Sequence, residues 1–239
     1  MKFTAHGHSD VGFLRETNED SFLVREDKGV FAVADGVGGL PYGSLASLLA
    51  VQFFDSLTDN VYDGIDPTRL CSTIEKIHKN IIKCGSIVGG QNGIGTTFSG
   101  VVFLDNKVLY GHVGDSYILK YEKESGQLSQ LSKEHTLAAE LIAKHGPDAA
   151  VDMPEHYHHT LTRCLGQDID FEVDSGDFDV TCGDKIIISS DGLLNMVEMD
   201  DISEVCSSMS PKSLVHELVD LANQNGGVDN TTVVCIEIE

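Results

Sequence analysis

The stretch TTFSGVVFLDNKVLYGHVGDSYILKYE, residues 96–122, decides the fold. It contains three successive runs rich in β-branched and aromatic residues, at 96–105, 107–115 and 116–122. Asp105-Asn106 is a typical turn pair between the first two runs. Strands that follow one another without an intervening helix favour antiparallel pairing over an alternating βαβ arrangement. This stretch therefore predicts three strands of a largely antiparallel sheet.

The remaining segments extend the same pattern, in which strands come in runs and helices are paired between or after them. The predicted strands are 21–27 and 29–35, forming a hairpin, then 171–180, 184–191 and 230–239; the predicted helices are 42–58, 67–84, 134–144, 201–209 and 211–224. This order predicts an α+β fold with helices segregated from mainly antiparallel sheets. A two-sheet core covered by helices on both sides fits a single domain over 1–239.

Composition limits the class of protein. The 239 residues are 41% hydrophobic and 23% charged, which is ordinary for a globular protein. No apolar run approaches the ~20 residues that span a bilayer. Residues 1–12 lack the apolar segment of a secretory signal. Six cysteines are scattered without a C-x-x-C pair, which favours reduced thiols over zinc ligands or disulfides. We expect a cytoplasmic protein without a membrane partner.

The net charge of −22 narrows the choice of partners. Such a charge repels nucleic acids and anionic membranes and favours basic partners or cations. The chain also lacks a basic stripe interleaved with aromatic residues, which argues against a nucleic-acid substrate.

Acidic residues recur at strand ends and in tight turns. They form five points: Glu19-Asp20, Asp35-Gly36, Asp115, Asp191-Gly192 and Asp229-Asn230. Oxygen ligands of this kind suit hard divalent cations. Each pair alone is more often an ordinary turn, and the sequence leaves both interpretations open. If the five points converge, their mutual repulsion of roughly 4 kcal/mol per close pair makes a bound metal nearly obligatory.

A family resemblance supports the metal interpretation. Residues 9–20, SDVGFLRETNED, resemble the S-D-x-G-x-x-R-x-x-N-E-D signature of type 2C metal-dependent protein serine/threonine phosphatases, the PPM family. Further motifs follow in the family's order: Ala34–Gly39, Gly95–Thr97, His112–Ser116, Leu161–Gly166, Ser190–Leu193 and Asp229–Val234. The match runs from Ser9 to Val234, and the compact length is similar to that of the bacterial members.

The resemblance implies an αββα sandwich with Mn²⁺ or Mg²⁺ in a cleft at one end of two sheets. It implies that Asp35 bridges two tightly bound ions and that the Gly36 carbonyl binds one of them, while Asp191 and Asp229 bind the other. Glu19 and Asp20 are implied to act directly or through waters. Asp115 with Asp191 is implied to form a third, weaker site, and Arg15 to hold the substrate phosphate. A water bridging two such ions loses a proton near neutral pH, and the resulting hydroxide attacks phosphorus. The implied partners are phosphorylated proteins in signalling, including those of a cognate Ser/Thr kinase.

Several residues depart from the family pattern. Leu40 and Ser44 stand where many bacterial members carry a His and an acidic residue, Tyr117 replaces an Arg, and Val37 replaces the His of eukaryotic members. The acid that protonates the leaving alkoxide is therefore open. We expect a metal-bound water to serve, with His135 as the alternative.

Three other interpretations remain. A two-metal hydrolase of other phosphoesters would use the same carboxylates, and a catalytically weak, phosphatase-like binding module would share the fold. Such a module is expected to have lost a metal carboxylate, and every one is present here. The His156, His158 and His159 cluster could bind zinc, but its spacing suits no helix face, and a solvated loop is the better interpretation.

Overall fold

The computed structural model describes residues 2–58, 65–104, 107–151, 153–168 and 171–239. The turn predicted at Asp105-Asn106 lies outside these ranges. The strands are β1 (Phe3–Asp10), β2 (Asp20–Arg25), β3 (Val30–Asp35), β4 (Phe98–Leu104), β5 (Lys107–Val113), β6 (Tyr117–Glu122), β7 (Gln127–Gln130), β8 (Asp174–Asp179), β9 (Lys185–Ser189) and β10 (Thr231–Ile238). The helices are α1 (Gly43–Thr58), α2 (Pro67–Val88), α3 (Leu137–His145), α4 (Asp191–Leu194), α5 (Met199–Ser208) and α6 (Pro211–Gln224).

The strands form two five-stranded sheets. One has the order β1-β10-β9-β6-β7 and the other the order β2-β3-β4-β5-β8. Every pairing between these strands is antiparallel. The α+β class and the antiparallel sheets predicted from the sequence are confirmed.

Three apolar layers hold the sheets and helices together. Between the two sheets lie residues such as Phe31, Ile188 and Ile236. Helices α1 and α2 cover the outer face of the β2-β3-β4-β5-β8 sheet, where Phe54 and Ile74 are fully buried. Helices α5 and α6 cover the outer face of the other sheet. The order of layers is therefore helix, sheet, sheet, helix, which is the predicted αββα sandwich.

Local signals in the sequence set the start of two helices. Asp66 accepts a hydrogen bond from the Arg69 amide and Pro67 follows it, so α2 begins with a capped first turn. Thr136 accepts a bond from the Ala139 amide and caps α3. That cap places the start of α3 at Leu137, three residues later than the predicted start at 134. Helix α2 also continues to Val88, past the predicted end at 84.

Two strands were missed by the sequence prediction. Strand β1 has the sequence FTAHGHSD, in which polar residues and glycine conceal the pattern of a strand. Its Gly7 is needed because a Cβ there would lie 2.4 Å from the Phe22 ring of the opposite sheet. Strand β7 is short and polar, and it lies at the other edge of the same sheet.

No helix in the part of the chain that the structure describes has both the length and the apolar character that crossing a bilayer requires.

Candidate active site

The acidic points singled out in the sequence meet at one end of the sandwich. Glu19, Asp35, Asp115, Asp191 and Asp229 line one cavity of about 340 Å³. Gly36 and Arg15 also line it. The carboxylates come from both sheets, because Asp35 and Asp115 follow strands of one sheet while Asp191 and Asp229 flank strands of the other. Packing of the two sheets therefore brings together residues that are far apart in the chain.

Asp35 lies at the end of β3, at the inner end of the cavity. Its amide donates to Thr97 Oγ1 (2.9 Å), and its carbonyl accepts from the Thr97 amide (2.8 Å) and from Thr96 Oγ1 (2.8 Å). These contacts fix the backbone and leave the carboxylate aimed at the cavity. Asp20 is the cross-strand partner of Asp35 in the β2-β3 hairpin and lies behind it, outside the cavity lining.

Gly36 and Gly43 allow three segments to pack closely. A Cβ at Gly36 would lie 2.4 Å from the Gly43 carbonyl carbon, and a Cβ at Gly43 would lie 2.8 Å from Glu19 Oε1. The Glu19 carboxylate therefore lies against the first residue of α1, a helix terminus that favours negative charge. Only glycine fits at position 36, where a Cβ would meet backbone atoms, whereas a Cβ at position 43 would require the Glu19 side chain to move.

The other side of the cavity is built around Asn230, which is 5% exposed. Its Oδ1 accepts from the Glu19 amide (2.8 Å), and its Nδ2 donates to the carbonyls of Val11 (2.9 Å) and Thr17 (3.1 Å). The Asn230 amide donates to Asp229 Oδ1 (2.8 Å). Asn230 thus ties the N-terminal loop to the turn that carries Asp229, a positioning role that the sequence analysis missed.

Asp115 follows the turn after β5 and is 8% exposed. The turn is held by His135, whose Nδ1 accepts from the Gly114 amide (3.0 Å) and whose own amide donates to the Gly114 carbonyl (2.8 Å). The Nε2 of His135 lies 3.3 Å from Asp174 Oδ2. His135 does not line the cavity. This geometry does not favour His135 as the group that protonates the leaving alkoxide, because both ring nitrogens have partners within the structure.

Burial and repulsion make the carboxylates hard to ionise. Burial raises the pKa of Asp35 well above its usual value, and repulsion from Asp20 and Asp191 raises it further. Burial also raises the pKa of Asp20 to about 6. The pKa values of Asp115 and Asp191 are raised chiefly by burial and then by neighbouring aspartates. A bound cation would reverse these shifts, because it stabilises the ionised form of each carboxyl group.

The donor set fits hard divalent cations. Two carboxylate oxygens, Asp20 Oδ1 and Asp191 Oδ1, are buried without a hydrogen-bond partner among the described residues. Buried polar atoms without partners are uncommon in proteins, and a cation or its waters would satisfy them. Within those same residues, no three His, Cys, Asp or Glu side chains already surround a single point. Mg²⁺-type ions keep several waters and take only one or two carboxylates each.

Arg15 lies at the mouth of the cavity, where the sequence analysis expected a phosphate ligand. Its Nη2 is 2.7 Å from Asp229 Oδ2, and its side chain is 48% exposed. The guanidinium is therefore held beside the carboxylates and remains open to solvent, so it can reach an anion in the cavity with its free N–H groups.

His159 also lines the cavity, and the sequence analysis assigned it only to a solvated loop. Its positive form lies near enough to lower the pKa of Asp191, although burial of Asp191 has the larger, opposite effect. His156 and His158 are exposed and do not line the cavity. Tyr117, which replaces the usual arginine, is 8% exposed and donates to Glu134 Oε1 (3.1 Å).

Comparison with known proteins gives a consistent result. The family model described as Protein phosphatase 2C matches residues 14–223. Protein phosphatase PhpP of Streptococcus pneumoniae serotype 2 is 31% identical over 240 residues, which cover 96% of this chain and 95% of PhpP.

Two solved structures show the same fold. The Mycobacterium tuberculosis serine/threonine phosphatase PstP/Ppp superposes with a TM-score of 0.89 at 27% identity, covering 100% of both chains. The catalytic domain of serine/threonine protein phosphatase PstP in complex with two manganese ions superposes with a TM-score of 0.86 at 26% identity, covering 99% of both chains.

Proposed function

This chain belongs to the protein phosphatase 2C family and is a metal-dependent protein serine/threonine phosphatase, and we propose that the carboxylates of its cavity hold the ions on which hydrolysis depends. The observation that carries this proposal is the meeting of acidic residues from both sheets in one cavity, where Asp191 Oδ1 is buried without a hydrogen-bond partner among the described residues. The domain proposed for this activity is the single sandwich over 1–239.

Each residue is proposed to bind in the way its position allows. Asp35 and the Gly36 carbonyl serve one side of the metal centre, and Asp191 and Asp229 serve the other. Glu19, which lines the cavity, and Asp20, which lies outside its lining, support the centre directly or through waters. The chemistry that two divalent ions supply when bound is the activation of water and the neutralisation of charge on the phosphoryl oxygens.

A third, weaker ion is proposed beside Asp115. Asp115 lines the same cavity. Burial is the main cause of the raised pKa of Asp115, and the negative charge of Asp191 is the next largest cause. An ion between Asp115 and Asp191 would share one ligand with the main pair, which makes it the weaker of the three. Both Mn²⁺ and Mg²⁺ suit this all-oxygen set.

Arg15 is proposed to bind the substrate phosphate. Arg15→Ala is expected to raise KM for a phosphothreonine peptide by about 10- to 100-fold, because it removes a charge-assisted contact. Steady-state kinetics measure this effect, with Arg25→Ala, a surface arginine paired with Asp55, as the matched control. The KM of Arg15→Lys should lie between those of the wild type and Arg15→Ala, since lysine keeps the charge but lacks the bidentate fork. An unchanged KM in Arg15→Ala would leave Arg15 as a partner of Asp229 alone.

The site favours monoesters over diesters. A phosphomonoester presents three free oxygens to the cations and to Arg15, whereas a diester presents two. Turnover of p-nitrophenyl phosphate compared with bis-p-nitrophenyl phosphate separates this reaction from that of a two-metal hydrolase of other phosphoesters, because the latter would prefer the diester.

The partners are proposed to be phosphorylated proteins, including the substrates of a cognate Ser/Thr kinase, with no nucleic-acid or membrane partner. A net charge of −22 supports the exclusion of nucleic acids. The cytoplasm is the proposed location, which the six free cysteines support.

A further inference from the structure

An apolar patch lies at the rim of the active site. It consists of Phe13, Leu14 and Val228, which are 69%, 70% and 40% exposed. We call these three residues the rim patch. Phe13 and Leu14 are consecutive in the chain, and exposure of two large apolar side chains to water is unfavourable compared with their burial against a ligand.

The rim patch is built rigidly. The Phe13 amide donates to the Gly227 carbonyl (2.7 Å), and a Cβ at Gly227 would lie only 3.0 Å from the Phe13 ring. Gly12 has a φ of +75°, and a Cβ there would lie 2.5 Å from the Asp229 carbonyl oxygen. The N-terminal loop and the turn at 227–229 are thus locked together, with the phenyl ring resting on the Gly227 backbone and its outer face open.

The same two segments carry residues of the catalytic cavity. Arg15 is two residues after Phe13, and Asp229 directly follows Val228. Arg15 and Asp229 join the segments through their 2.7 Å ion pair. The rim patch is therefore carried by the same two segments as the proposed phosphate-binding residue and Asp229.

We propose that the rim patch binds a large apolar side chain of the substrate, located within two residues of the phosphoserine or phosphothreonine. This specificity rests on the proposed function, because it takes Arg15 as the point that fixes the phosphate. Two residues of extended chain span at most about 7 Å, so Phe13 lies close to Arg15, and a peptide whose phosphate contacts Arg15 brings its neighbouring residues to the patch.

The net charge favours a substrate over a second copy of this chain as the occupant. Two copies that each carry −22 repel one another, whereas a peptide with neutral or basic residues around its phosphate is attracted. The preferred substrate is therefore a phosphopeptide with an adjacent Leu, Ile, Met or Phe and few acidic residues.

The test compares two phosphothreonine peptides that differ only in having Leu or Ser at the positions flanking the phosphothreonine. The wild-type enzyme, loaded with Mn²⁺, is expected to prefer the Leu peptide in kcat/KM by about tenfold, since an apolar side chain is partly buried on the patch. Phe13→Ala and Leu14→Ala should each reduce this preference while leaving p-nitrophenyl phosphate turnover within about twofold. Ile87→Ala is the matched control, because Ile87 is 82% exposed and does not line the cavity.

The outcomes separate the two levels of the proposal. If the wild type hydrolyses p-nitrophenyl phosphate and has the same kcat/KM for the Leu and Ser peptides, the rim patch does not select substrates, although the phosphatase activity stands. If it hydrolyses none of the three, the proposed function itself fails. An equal loss on both peptides in Phe13→Ala would also overturn the proposal, as would a concentration-dependent dimer that Phe13→Ala abolishes.

Discussion

Replacing Asp35 by alanine is expected to lower kcat by at least about 10³-fold while the fold stays intact. Asp35 is the carboxylate on which the proposed metal centre depends most, since it lines the cavity and the charges of both Asp20 and Asp191 raise its pKa beyond the effect of burial. Removing a buried carboxylate that its neighbours repel does not weaken the apolar core. The melting temperature without metal should therefore stay equal or rise, which separates loss of catalysis from loss of structure.

The matched control for Asp35→Ala is Asp177→Ala. Asp177 is an exposed carboxylate on β8 that pairs with Lys107 (2.7 Å) on the surface. Its replacement should leave kcat within about twofold, because surface ion pairs contribute little. Kinetics with p-nitrophenyl phosphate avoid any contribution from peptide binding. A near wild-type rate in Asp35→Ala would remove Asp35 from the metal centre.

Chelation is expected to abolish turnover, and Mn²⁺ should restore it. Burial raises the pKa values of Asp35, Asp115 and Asp191, which favours their protonated forms without metal, and the proposed mechanism relies on the ions to activate the attacking water. Dialysis against EDTA followed by titration with Mn²⁺ or Mg²⁺ measures this dependence. Full turnover in excess EDTA would contradict it.

The same experiment has a stability readout whose sign follows from the pKa shifts. Asp20 binds its proton more tightly in the folded state, because burial raises its pKa from the usual 3.8 to about 6. A raised carboxyl pKa stabilises the fold at low pH, and that stabilisation is lost as the pH rises through the folded value. In EDTA the melting temperature should thus fall between about pH 4 and pH 7, and Mn²⁺ should oppose the fall by binding the ionised carboxylates.

The sequence predicted the parts of this protein that are decided locally. The antiparallel hairpin of β2 and β3 and the helix that begins at Pro67 follow from alternation, turn residues and caps. Each acidic point was also predictable, since Asp35 and Asp191 lie beside strands and next to glycine. Their roles came from the order of the family motifs.

Long-range packing decides the rest. Asn230 bonds to Glu19 across 211 residues, and no local pattern marks that contact. Strand β1 forms because it pairs with β10 at the other end of the chain, which compensates for its weak apolar pattern. His159 lines the cavity, a position that local sequence did not indicate. The contacts of His135 with Gly114 and Asp174 likewise could not be read from the sequence.

The most direct test of the proposed metal centre is an anomalous difference map from crystals of the Mn²⁺-loaded protein. We expect two strong manganese peaks within ligand distance of Asp35, Gly36, Asp191 and Asp229, with a weaker third peak beside Asp115. We also expect the two strong peaks to disappear together in Asp35→Ala. Manganese bound elsewhere, or two full peaks retained in Asp35→Ala, would contradict the assignment of these carboxylates as the metal centre.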